Sequence, residues 1–414
     1  MKYTSLLFGV AVTLFFALAY PHHLHFQEQY QLFLFEQSYI CEVLSLPGGL
    51  ADLMGRFLTQ FFLYAWVGAT LIALVLMSIQ LLTYRLLSVS GGEPLPYAFS
   101  FIPAMLCCCF LCDENALMSA PCALLILLGL SLCVQSIGSD TMRQVFAIVS
   151  IPIAYLLAGA FALPYALVLI IGEAQRNRSL RVLVVAVILL VVALSTPAAW
   201  HQCIHYSLHR LYVGPHYYRE PEETPSWAWS AACALPLLLL LPRRLRQWAP
   251  RRRSMVFLLF WGVLMLIGGS TINKLQDQKQ ENVMAYDFMA RNAQWNRIIQ
   301  QAQHTAPRNQ VAAVALNLAL SQRGLLAEHL FKFPQHGTMG LLPIFASDYV
   351  SPLVTSEAFY RLGLINTAQR YVFEAQEAIP DFQKSARCYK RLAETNLING
   401  AYEVARKYLI ALQH

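Results

Sequence analysis

Residues 21–62 read PHHLHFQEQYQLFLFEQSYICEVLSLPGGLADLMGRFLTQFF. One apolar run, residues 3–20, precedes this stretch, and a second, residues 57–82, begins inside it. At ~1.5 Å per residue each is long enough to cross a hydrocarbon core of ~30 Å. The loop between them, residues 21–56, has three histidines and the acids Glu28, Glu36, Glu42 and Asp52, but one basic residue, Arg56. Lys and Arg collect on the cytoplasmic side, so this loop belongs outside. Within it, Phe26, Tyr30, Phe33 and Leu34 recur at helical spacing around Glu28, Gln29 and Gln31. That pattern predicts a short helix lying on the membrane surface, with Glu28 near the mouth of a helix bundle or simply on a solvated polar face. Pro47-Gly48-Gly49 then turns the chain.

The composition supports a membrane protein. Of 414 residues 57% are hydrophobic and 13% charged, with a net charge of +7. Charge is unevenly placed: residues 274–414 hold 26 of the 53 charged side chains. We read a polytopic membrane domain over residues 1–272 and a soluble domain over 273–414. The basic excess sits largely in membrane-flanking loops, so nucleic acid is not implied. The first apolar run has no small-residue cleavage site and is expected to be retained. Seven of the ten cysteines fall in apolar runs, which leaves few for a disulfide framework.

Further apolar runs span residues 97–112, 116–137, 144–172, 182–200, 227–241 and 255–272. The 29-residue run 144–172 carries Pro152, Gly159 and Pro164 and reads as one tilted span or two short ones. Taken as two, it gives 12 basic residues inside and three outside; taken as one, five inside and ten outside. The positive-inside rule therefore favours about nine spans, an N-terminus inside and a C-terminal domain outside the cytoplasm.

Three constellations could carry chemistry. Asp113-Glu114-Asn115 is pinched between two apolar runs at the outer face. Adjacent carboxylates there need water, a partner or a cation, although a polar hairpin turn is the plainer reading. His201, His205 and His209 recur at i, i+4 and i+8, a spacing that lines one helix face and suits a divalent metal or a polar interfacial stripe. Cys107, Cys108, Cys109 and Cys112 contain a CxxC spacing inside an apolar run, where small soft packing residues are the plainer reading. The arginines between 243 and 253 suit anionic headgroups or orientation alone.

The soluble part reads as helical hairpins. Ile365-Asn366-Thr367-Ala368 recurs as Ile398-Asn399-Gly400-Ala401, a 33-residue offset, with two looser pairs before it and an irregular insert at 335–352. A period near 34 residues predicts tetratricopeptide-like stacking, whose groove takes peptides or partner proteins. Ser356-Glu357 and the scattered Glu and Arg read as helical surface. The fold class is all-α: a transmembrane bundle followed by a soluble hairpin domain.

The segments PGGLADLMGRFLTQFF (47–62), LNLALSQRGLL (316–326), SEAFYRLGLINTAQRYVFEA (356–375) and KRLAETNLINGAYEVARKYL (390–409) resemble those of a domain-of-unknown-function family. Its members are integral membrane proteins of Bacteroidota with a helical-repeat C-terminal part. The resemblance implies a multi-pass inner-membrane protein with a cytoplasmic N-terminus and a periplasmic C-terminal domain. It carries no activity. The architecture also resembles the C-type glycosyltransferases, which use lipid-linked sugars. That resemblance implies a catalytic group of Glu28, as base or metal ligand, with Asp113 and Glu114 holding a divalent cation. His201, His205 and His209 would meet the substrate pyrophosphate, with Arg56 as a substrate-binding cation beside the carboxylates. A divalent cation and a lipid-linked sugar would accompany them. This chain lacks the usual acidic pair in loop one, and Asp113-Glu114-Asn115 is not the common Asp-x-Asp. The alternative is a non-enzymatic scaffold that recruits partners for envelope assembly or secretion. Transport is disfavoured, because few ionisable groups lie deep in the apolar runs.

Overall fold

A computed structural model describes residues 2–88, 94–176, 179–220, 223–241, 253–307, 309–335, 337–341, 351–379 and 383–413. The arginine-rich stretch at 243–252 and most of the insert expected at 335–352 lie outside the described residues. Secondary structure among those described is helical, apart from one antiparallel bridge, Ala116–Tyr218. The chain divides into two compact units. The first comprises Met1–Ala19, Glu36–Phe61 and Trp66–Gln276; the second comprises Tyr20–Phe35, Phe62–Ala65 and Asp277–His414.

In the first unit, α1 (Lys2–Leu14) runs on through a π-turn to Ala19. α3 (Gln37–Leu44) and α4 (Gly49–Thr59) lead into α5 (Ala65–Leu87). Then follow α6 (Pro94–Phe99), α7 (Phe101–Phe110), α8 (Ser119–Ser136), α9 (Asp140–Ala158) and α10 (Ala162–Arg176). α11 (Leu180–His201), α12 (Leu208–Val213), α13 (Ser226–Leu239) and α14 (Arg253–Leu275) complete it. (The helix between α1 and α3, α2 at Pro21–Gln29, belongs to the second unit.) Among the described residues five stretches are long and apolar enough to cross a membrane, or six if Tyr3–Ala19 is counted together with Pro21–Gln29, rather than the nine expected. Two physical reasons account for the difference. The apolar helices Leu95–Phe110 and Ser226–Leu239 are too short to span straight, and Asp140–Arg176 counts as one stretch. Yet that stretch folds back on itself: Ser150 Oγ lies 2.8 Å from Tyr165 Oη, and Arg143 pairs with Glu173. The reversal falls at Gly159, where φ is +75° and an added Cβ would lie 3.0 Å from the Tyr217 hydroxyl.

Polar contacts gather where helix ends meet. At one set of ends, Ser5 donates to Gln80 (2.6 Å), Gln80 donates to Ser100 (2.7 Å) and Arg176 reaches the Gln135 carbonyl (2.6 Å). At the other set, Tyr155 donates to Leu211 O (3.0 Å), Leu117 N to Tyr217 O (3.1 Å) and Arg219 N to Asn115 O (2.9 Å). The helix flanks between these belts expose apolar side chains such as Leu183, Val187, Val191, Leu259, Val263 and Leu266.

The second unit is four helical hairpins with a segment of loop one in their core. The hairpins are α15 (Gln278–Arg291) with α16 (Trp295–His304), and α17 (Gln310–Gln322) with α18 (Leu326–His329). α19 (Ser351–Arg361) pairs with α20 (Ile365–Glu377), and α21 (Ala386–Ile398) with α22 (Tyr402–Gln413). Each first helix ends in the same cap. Ala293, Gly324, Gly363 and Gly400 take positive φ, and the next residue donates its N–H to a carbonyl five positions back. Those four bonds, Gln294 to Met289, Leu325 to Leu320, Leu364 to Phe359 and Ala401 to Asn396, measure 2.8 to 2.9 Å. The turn glycines put Gly363 opposite Gly400, so the 33-residue register read from the sequence is displaced. Ala368 corresponds to Ala405; both are fully buried, whereas Ala401 sits half-buried at the turn.

α2 (Pro21–Gln29) is not a surface helix. It ends at Gln29, and its Phe26, together with Tyr30 just beyond, is buried among Met284, Val314, Leu353 and Leu392. The apolar stripe was legible in the sequence, but it faces protein rather than lipid.

Candidate functional site

Glu28 is positioned by a helix held at both ends. Pro21 opens α2, and the Glu281 carboxylate accepts the N–H groups of His22 (2.8 Å) and His23 (2.9 Å), which the helix itself leaves unpaired. At the far end Arg387 donates to Gln29 Oε1 (2.7 Å) while bonding both oxygens of Asp287 (2.6 and 2.8 Å). His25 stacks on Phe288 at 4.4 Å. Burial keeps the histidines neutral: His22 and His25 are both lowered to about 4. Burial also pushes Glu281 up to about 7.

With its other faces occupied, α2 turns Glu28 toward a cavity of about 500 Å³. Its charged lining is Arg291, Arg361, Arg387, Lys390 and Arg391 with Glu28, Glu357 and Glu394, beside Tyr360. Glu357 is 3% exposed and binds both Arg361 (2.8 Å) and Arg391. Ser356-Glu357 therefore faces inward, which corrects its reading as helical surface. Arg391 also meets Glu394 (3.0 Å) and lies 3.7 Å over the Tyr360 ring. Burial raises the Glu28 carboxyl, and the charges of Arg291 and Arg387 oppose that shift. Burial and the neighbouring Arg387 together lower Arg291. Of these cavity residues only Glu28 was singled out as a site residue in the sequence. Their helical spacing was visible, but the face they share depends on long-range packing.

Arg56 has a different setting, in the first unit. The motif around it is a packing device. A Cβ on Gly48 (φ +79°) would lie 3.3 Å from the Gly159 backbone, and one on Gly55 would sit 2.5 Å from Ser119 N. Both glycines let α4 approach its neighbours at backbone distance. Asp52 and Arg56, one turn apart, pair at 2.7 Å with side chains 1% and 8% exposed. His216 Nδ1 lies 3.7 Å from Asp52 Oδ2, and Arg56 donates to the Tyr39 hydroxyl at 3.3 Å. Burial works against the Arg56 charge, and Asp52 and Tyr39 more than restore it, so the guanidinium stays ionised. Asp52, Tyr39 and His216 were missed as a group; the four-residue Asp52–Arg56 spacing was the available signal.

Asp113 is exposed and closes a tight turn. It accepts the Asn115 N–H (2.8 Å) and the Tyr218 hydroxyl (2.9 Å). Glu114, beside it, is half-buried. These two acids belong to the first unit and Glu28 to the second. His201, His205 and His209 do not share a helix, which corrects the expected stripe. α11 ends at His201, His205 lies in the connection and His209 is on α12; all three are exposed. His201 Nδ1 is 2.9 Å from the Tyr206 carbonyl. No group of three His, Cys, Asp or Glu side chains able to hold a metal ion occurs among the described residues. Cys107, Cys108, Cys109 and Cys112 are buried free thiols.

The fold and its sites define an all-helical protein with several membrane-length apolar helices and a separate unit of helical hairpins. The chain belongs to the family of unknown function DUF6057, which matches residues 1–414. No curated protein and no solved structure matches it.

Proposed function

We propose that the protein is a non-enzymatic scaffold of the bacterial inner membrane, with its hairpin unit on the periplasmic face. One observation carries this reading. Tyr20–Phe35, which follows the first apolar helix, folds into one unit with Asp277–His414, which follows the last. Two segments of one folded unit share a side of the membrane. The positive-inside rule then assigns the side: Arg85, Arg143, Arg176 and Arg181 lie at the opposite helix ends from Asp113 and Tyr217. The four identical turn caps support a tetratricopeptide-like stack, and its inner surface already holds α2. The unit is thus anchored through several chain connections, which suits a platform that gathers protein partners at the bilayer.

The transferase reading needs Glu28, Asp113 and Glu114 around one cation and a lipid-linked sugar. Asp113 is taken up by the Asn115 N–H and the Tyr218 hydroxyl, and Glu28 lines a cavity of the other unit, settings that give it no support. The test is envelope glycan profiling of Glu28→Gln and Asp113→Asn strains, with membrane insertion checked in parallel. The scaffold reading expects unchanged glycans in both. Loss of a glycan with insertion intact would overturn it.

A further inference from the structure

The cavity beside Glu28 has an unbalanced charge. Of its five cations, Arg361 and Arg391 are committed to Glu357, and Arg387 to Asp287. Arg291 and Lys390 make no ion pair among the described residues, and neither does Glu28. Arg291 is half-buried and faces the like charge of Arg387, while Asp287, Glu28 and Glu357 act on it the other way; with Glu394 these four acids leave the five cations one positive charge in excess. Two cations without an ion pair, Arg291 (5.6 Å over the Phe288 ring) and Lys390, match a dianion better than a single carboxylate. The volume, about 500 Å³, exceeds what a lone phosphate fills and lies in the range of small-molecule sites. Glu28, an acceptor that repels anions, suits the hydroxyl-bearing part of such a ligand.

We propose that this cavity binds the phosphate monoester of a polyol, with Arg291 and Lys390 on the phosphate and Glu28 accepting hydroxyls. This goes beyond the scaffold reading and does not depend on it. The phosphate could belong to a soluble sugar phosphate or to a phosphorylated polyol headgroup of a lipid.

The test uses the full chain in phosphatidylcholine nanodiscs, titrated calorimetrically with glucose 1-phosphate, inorganic phosphate and glucose. Saturable binding of glucose 1-phosphate, weaker binding of inorganic phosphate and none of glucose is expected. Arg291→Gln and Lys390→Gln should each weaken glucose 1-phosphate by about tenfold, as loss of a charge-assisted contact does. Lys390 is exposed, so its variant should keep the parent melting temperature. Glu28→Gln should bind inorganic phosphate at least as tightly as the parent, a response that loss of fold would not give. In a second arm, competition by phosphatidylinositol 4-phosphate vesicles, with phosphatidylcholine vesicles as the blank, assigns the site to a lipid headgroup. Glucose 1-phosphate binding without that competition assigns it to a soluble ligand. No saturable binding of either phosphate, glucose binding as tight as its phosphate, or unchanged affinity in both cation variants would overturn the proposal.

Discussion

Ala293 is the one described non-glycine residue at positive φ, 52°, and it stands where the other three hairpins have glycine. A left-handed conformation costs a Cβ-bearing residue ~1 kcal/mol or more. Ala293→Gly should therefore raise the stability of the hairpin unit by ~0.5–1 kcal/mol, read as a higher melting temperature; an unchanged or lower one would show that the cap is unstrained. Asp52 and Arg56 make the opposite case. Asp52→Asn leaves a buried guanidinium short of its counter-charge, and breaking such a pair costs ~3–5 kcal/mol. Folded yield in detergent should fall sharply, and parental yield would contradict the lock. In the sequence Arg56 reads as a substrate-binding cation beside the loop's carboxylates, because it is the nearest arginine to them. Its partner Asp52 was one turn away and readable; His216, far along the chain, was not.

Among elements, α2 shows what periodicity conveys. The spacing of Phe26 and Tyr30 disclosed a helix with one apolar face, but both a bilayer and a protein core satisfy such a face. The histidine spacing misled for a related reason: it continues past His201, where α11 stops. The helix α2 should respond to pH. His22 and His25, held near 4 against 6.5 when unfolded, contribute stability above pH 6.5 that is lost as pH falls toward 4. Glu281, raised from 4.5 to about 7, runs the other way: its contribution is full below 4.5 and lost as pH rises through 7. Two histidines outweigh one carboxylate between 4.5 and 6.5, and Glu28, also raised, softens the slope. The net loss is at most about one proton, ~1.4 kcal/mol per pH unit. Amide exchange across residues 21–30 should speed up from pH 6.5 to 5 after correction for intrinsic rates, and less so in His25→Gln. Equal protection at both values would refute it. In the same unit, Ala405→Leu should destabilise by ~1–3 kcal/mol through overpacking and Ala401→Leu by less. The reverse order would restore the 33-residue register.

At the scale of the whole molecule, the apolar runs and the hairpin region were legible because hydrophobic length and helical period are local properties. The membership of Tyr20–Phe35 in the hairpin unit was not, since it rests on contacts such as Glu281 with His22 and Arg387 with Gln29 between distant parts of the chain. That membership is the central claim, and the Leu32 N–H bond to the Lys384 carbonyl (2.9 Å) makes it measurable. Leu32 is half-buried and Lys384 exposed, so paired cysteines at these positions should be tolerated in a background cleared of native thiols. A short bismaleimide applied to intact membranes should link Leu32→Cys to Lys384→Cys. The link should form as efficiently as in the control pair Asn366→Cys and Asn399→Cys, whose side chains bond at 2.9 Å within the hairpins. A linked control with an unlinked 32–384 pair would place loop one outside the hairpin unit and contradict the account.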